Sequence, residues 1–163
     1  MHVCLLFKLT DSCEPPIEPP TDDYDFIGGG QCCSEGEDNG YNGISFLSQE
    51  APFPSSEEGA ELCASACDSC FCDSDVSGVN YRGFEYLVLG RFECACLVES
   101  PLGDLQELAD SCSSVADKEW FPYRGDDPPG TGLITGSSGL SDGFFCYSVS
   151  LMTPLHTLFN FHL

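Results

Sequence analysis

The stretch Glu61–Cys72, ELCASACDSCFC, places four cysteines within ten positions, and Glu93–Cys96, ECAC, adds a pair two residues apart. Thiols this dense form a metal site, a redox centre or a set of disulfides, and their spacing separates those chemistries. Cys63 and Cys67 are four apart in a helix-forming segment, which puts both on one face roughly 6 Å from each other. Cys94 and Cys96 are two apart in a strand-forming segment and share a face at roughly 6–7 Å. A helix laid on that sheet face sets the two pairs opposite each other at matching pitch. Two helix-to-sheet bridges then join Cys63 and Cys67 to Cys94 and Cys96, in either order. Structural zinc asks for paired CxxC knuckles or Cys/His mixtures. Here only Cys67 to Cys70 has that spacing, and no histidine is near. A redox CxxC follows a strand in a βαβ unit, a context this segment lacks. Disulfides are the expectation.

The rest of the chain agrees with that reading. Twelve cysteines in 163 residues mark a disulfide scaffold from an oxidising compartment, secreted or at the cell surface. The start, MHVCLLFKLTDSCEPP, is a poor signal peptide because its apolar run, Val3 to Phe7, is too short. A start truncated relative to the true one is therefore also expected. No stretch is long and apolar enough to span a bilayer. The formal net charge of −22, from 27 acids against 5 Lys and Arg, leaves no basic footprint for nucleic acid and repels anionic membranes. It suits a solvated, self-repelling surface, or carboxylate clusters that hold divalent cations.

Three segments follow from composition. Residues 1–27 form a Pro- and acid-rich arm with little to bury, residues 28–150 the folded domain, and residues 151–163 an apolar tail broken by Pro154. Within the domain, Tyr41 to Ser48 reads as a strand after the turn signal EDNG, and Ser55-Ser56 with Glu57, Glu58 and Glu61 opens a helix to about Ser69. YRGFEYLVL and RFECACLVES form a hairpin about Gly90. DLQELADSCSSVA is a short acidic helix or turn, WFPYRGDDPPGTG a loop, and GLITG and FFCYSV the last strands. The class is α+β, a small disulfide-rich domain. Cys32 or Cys33 opens it and Cys146 closes it, so one bridge ties its ends. The other member of the Cys32-Cys33 pair joins Cys70, Cys72 and Cys112 in two further bridges. Cys4 and Cys13 pair with each other or stay free.

A helix carrying ELCASAC, followed by the aromatic strand YRGFEY and the C-x-C strand ECACL, resembles the PAN/apple domain and the related WSC domain. GTGLITGSSGLSDGFFCY resembles their closing strands, with Cys146 at the position of the end-to-end bridge. The resemblance covers most of Cys32 to Tyr147. It implies one helix packed on a curved antiparallel sheet, and a non-catalytic module that binds an extracellular glycan or protein.

The residues offer little catalytic chemistry. His2, His156 and His162 all lie outside the cysteine-bounded core, and there is no P-loop or GxGxxG. With acids so abundant, pairs of carboxylates carry no information about glycoside hydrolysis. No activity and no resident cofactor are expected, calcium excepted. DSDVSG, Asp73 to Gly78, has the alternating oxygen ligands of a calcium loop in Asp73, Asp75 and Ser77, but Phe84 stands where the closing Glu belongs and Glu85 comes one later. An acidic turn accounts for the same residues. The segment KEWFPYRGDD supplies Trp120, Tyr123 and Arg124 for a glycan or protein face, although for Trp120 packing in the core of the sheet is the favoured expectation. The tripeptide Arg124-Gly125-Asp126 matches an integrin-type adhesion motif, most simply by chance. The rival to a recognition module is an acidic calcium-binding structural protein of an extracellular matrix or cell wall.

Overall fold

The computed structural model describes residues 23–34, 39–49, 52–73, 79–99, 105–115, 118–126, 128–139 and 143–150. Helix α1 spans Ser56–Asp73. Ser55 caps it: its hydroxyl accepts from the Glu58 amide at 3.3 Å while the Glu58 carboxylate accepts from the Ser55 amide at 2.8 Å. This reciprocal pair satisfies donors that the first turn leaves open, and it holds the Glu58 carboxyl below its ordinary range. Ala60, Cys63, Ala64, Cys67, Cys70 and Phe71 recur at helical period and are all buried, so one stripe of small side chains lets α1 lie close on the sheet.

That sheet has six antiparallel strands. They are β1 (Tyr24–Gly29), β3 (Asn42–Ser48), β4 (Asn80–Val88), β5 (Phe92–Glu99), β6 (Phe121–Tyr123) and β8 (Phe144–Val149), in the order β1-β8-β4-β5-β3-β6. Strands β2 (Cys32–Ser34) and β7 (Ile134–Ser137) form a separate two-stranded ribbon. β4 and β5 are the expected hairpin, with Val88 opposite Phe92. The period of two sorts their side chains. Phe84, Tyr86, Cys94 and Cys96 join the core under the helix, whereas Ala95, Leu97 and Cys146 pack with Cys32 and Ile134 of the ribbon. β4 shifts register between Tyr81 and Gly83; at Gly83, with φ of 153°, a Cβ would lie 2.1 Å from the Tyr147 carbonyl oxygen. Only glycine fits there.

Four cysteine pairs lie at disulfide distance: Cys63–Cys94, Cys67–Cys96, Cys32–Cys146 and Cys70–Cys112. The first two are the expected helix-to-sheet bridges, with Cα separations of 5.4 and 5.6 Å. Cys32, not Cys33, ties the two ends, because Cys32 faces the six-stranded sheet and its Cys146. Cys33 is buried with its Sγ 3.5 Å from the Gln31 carbonyl oxygen. The side chain of Cys72, like Cys4 and Cys13, lies outside the described residues.

Two sequence expectations change. The fold carries two helices where the family pattern implied one: α2 (Leu105–Val115) buries Leu108, Ala109 and Cys112 and is joined to α1 by Cys70–Cys112. Eleven residues are too few for a helix to stand alone in water, so this one depends on its packing and its bridge. Also, β1 takes in Tyr24 to Ile27, which the composition had assigned to the arm. Tyr24 is buried against Phe84, with ring centroids 4.9 Å apart, and β1 pairs along β8. A Pro- and acid-rich average concealed one anchoring aromatic.

Candidate polar recognition site

On the ribbon side of the sheet, the alternation that buries Phe84 and Tyr86 beneath α1 turns Glu85 the other way. It lands under the ribbon and is only 2% exposed. A carboxylate taken from water must be hydrogen-bonded. One Glu85 oxygen accepts from the Cys32 amide at 2.8 Å and the other from the Tyr123 hydroxyl at 2.5 Å. The Gln31 amide nitrogen donates to that hydroxyl at 3.5 Å. Burial, and then the adjacent Glu85 carboxylate, push the Tyr123 phenol far above its ordinary range, so Tyr123 keeps its proton and spends it on Glu85.

Tyr123 is brought there because β6 pairs with β3, setting it opposite Gly43. The chain then turns back across Gly40. The Asp126 carboxylate accepts from the Gly40 amide at 2.6 Å, and the Gly40 carbonyl accepts from the amides of Asp126 at 3.3 Å and Gly130 at 3.0 Å. Gly125 donates its amide to the Asn42 side-chain oxygen at 3.2 Å. A Cβ on Gly125 would stand 2.4 Å from the carbonyl oxygens of both Gly40 and Tyr41, so the loop closes only with glycine. Tyr41 itself is 1% exposed, with its hydroxyl 3.3 Å from the Thr131 and Gly132 carbonyls, and burial pushes its phenol up to about 12.

These parts enclose a cavity of about 110 Å³ lined by Gln31, Tyr41, Glu85, Tyr123, Arg124 and Asp126, with Gly40 and Gly125 in its wall. Arg124 stands exposed on the rim and makes no ion pair among the described residues. The cavity therefore offers guanidinium and amide donors beside carboxylate and phenol acceptors, with almost no apolar wall.

Tyr123 and Arg124, expected as ligand contacts, come together here. Trp120 does not join them. It is 2% exposed, lies edge-on to Phe46 with centroids 5.0 Å apart, and takes its place in the core beside α2, where its backbone amide donates to Ser113 Oγ at 2.9 Å. A sugar platform needs an open ring face, and this one is covered. Asp126 lines the cavity while bound back to Gly40, so the Arg-Gly-Asp tripeptide is a structural loop with one of its carboxylate oxygens engaged. Of the calcium candidates, Asp73 ends α1 and its side chain, with Asp75 and Ser77, lies outside the described residues. The Sγ atoms of Cys63, Cys67 and Cys94 fall within 4.8 Å of one another, as a thiolate metal site would require, but they are shared between the two S–S bridges.

Gln31 was not singled out by the sequence, Glu85 was noted only as an acid one place beyond a closing calcium ligand, and Asp126 only as the end of an adhesion-like tripeptide. Glu85 alternates with Phe84 and Tyr86, the pattern of a solvent-facing side chain, and it is the ribbon laid over that face that buries it. The chain matches no family model, no curated protein and no solved structure.

Proposed function

We propose that this chain is a secreted or cell-surface recognition module, related in plan to PAN/apple and WSC domains, that binds an extracellular carbohydrate or protein without transforming it. The observation that carries the reading is the polar cavity built around buried Glu85, with Arg124 exposed on its rim. The groups in its floor are suited to holding, not to proton transfer. Glu85 already accepts two hydrogen bonds, and the Tyr123 phenol is raised away from neutral pH by burial and by Glu85. Disulfides at four points keep such a cavity in shape in an oxidising medium, which is what a preorganised binding surface requires.

The test is a glycan array together with a pull-down from extracellular proteins, each run on the native chain and on Tyr123→Ala and Arg124→Ala. Retention of a defined ligand by the native chain, lost in both variants, supports the module. The rival reading, a calcium-binding matrix protein, draws on the net charge of −22. It predicts calorimetric calcium binding that Asp73→Ala and Asp75→Ala abolish.

A further inference from the structure

Charge and chemistry in the cavity narrow the ligand. The space of about 110 Å³ is well below that of drug-sized pockets, roughly 300 Å³ and more, and is large enough for several ordered waters. What enters is one edge of a molecule. Its wall is almost wholly polar, which disfavours an aromatic or lipid group. An anionic edge would find Arg124, but also Glu85 and Asp126, within a molecule of net charge −22. A cationic edge would find those carboxylates but meet the Arg124 guanidinium at the mouth.

A neutral group that both donates and accepts suits every wall. Arg124 has five N–H donors and no ion-pair partner among the described residues. Gln31 adds an exposed amide. Tyr123 gives its proton to Glu85 and accepts one N–H of Gln31 at 3.5 Å, which leaves one lone pair of its oxygen and the second N–H of that amide for a ligand. Asp126 uses one carboxylate oxygen on the Gly40 amide and has the other for a ligand. A guanidinium and a carboxylate lining one small space match two adjacent hydroxyls, each of which accepts from the guanidinium or donates to the carboxylate.

We propose that this cavity binds the vicinal-hydroxyl edge of a neutral sugar residue, held between Arg124 and Gln31 as donors and Asp126 and Tyr123 as acceptors. The proposal rests on the recognition-module reading and selects carbohydrate over protein as the partner. The disulfide-intact full chain is titrated by calorimetry with neutral gluco- and manno-oligosaccharides, an oligogalacturonate and a lysine-rich peptide. The expected result is saturable binding of a neutral oligosaccharide that weakens about tenfold or more in Arg124→Ala and in Gln31→Ala, as loss of a donor to a hydroxyl predicts. Both side chains are exposed, so thermal melts of the two variants should match the native chain. Because the ligand is uncharged, its affinity should change less than about twofold between 50 and 500 mM salt.

Preference for the oligogalacturonate or the peptide would overturn the neutral-sugar assignment while leaving a recognition module. Binding of a neutral sugar that is indifferent to Arg124→Ala and Gln31→Ala would overturn the cavity as its site. Silence toward every probe, with a silent glycan array and pull-down, would overturn both proposals.

Discussion

Asp68 gives the sharpest prediction of how stability depends on pH. It lies on α1 and accepts a hydrogen bond from the buried Tyr24 hydroxyl, itself 3.2 Å from the Tyr81 hydroxyl. Burial raises the Asp68 carboxyl from 3.8 to about 6; the Tyr24 bond opposes this and the nearby Asp23 adds to it. A folded-state value above the unfolded one means the native protein holds the proton more tightly. Stability from this group is thus full below about pH 4, falls as pH rises toward 6, and is flat beyond. A shift of about two units corresponds to about 3 kcal/mol, and partial exposure of the side chain trims this to about 2–3 kcal/mol. The assay is urea unfolding at intervals from pH 4 to 7 on the native chain and on Asp68→Asn. The amide keeps the acceptor for Tyr24 and cannot ionise. With 27 acids, general self-repulsion also grows over this range, but both proteins share it. The native chain should therefore lose about 2–3 kcal/mol more than Asp68→Asn between pH 4 and 7. Parallel curves, or a native chain gaining stability relative to the variant, would refute the burial argument.

Three other outcomes follow from the packing. Non-reducing peptide mapping should recover Cys63–Cys94, Cys67–Cys96, Cys32–Cys146 and Cys70–Cys112, and Cys32→Ser with Cys146→Ser, opening a separation of 114 residues, should lower unfolding free energy by up to about 5 kcal/mol in the chain-entropy account. Trp120→Ala should cost about 3–5 kcal/mol in urea melts, because it empties a core position; a variant that melts like the native chain would return Trp120 to the surface. Gly125→Ala should displace the loop over Gly40 and abolish cavity binding while the helix-to-sheet bridges still form, as read by calorimetry and peptide mapping on the same sample.

The local parts of this fold were legible in the residues. The start of α1 at Ser55-Ser56, the β4–β5 hairpin and the two cysteine pairs that meet across helix and sheet are written in periods of 3.6 and 2 and in capping chemistry, all within a few positions of each other. The same spacing allowed either order of pairing. Only the way α1 lies on β5 joined Cys63 to Cys94 and Cys67 to Cys96. Likewise, the choice of Cys32 over Cys33 for Cys146 depends on which face of β2 meets the main sheet, and β2 takes its place from β7, a hundred residues on. Helix over turn for DLQELADSCSSVA, core over surface for Trp120, and the inclusion of Tyr24 in the sheet were likewise decided by contacts far apart in the chain. The cavity shows the division most clearly. Sequence alone picked out Tyr123 and Arg124 by residue type and loop context, while Glu85, Gln31 and Asp126 entered because β4, the ribbon and the Gly125 loop converge in space. Periodicity fixes which way a side chain points along its own element. Only tertiary packing decides what it meets there.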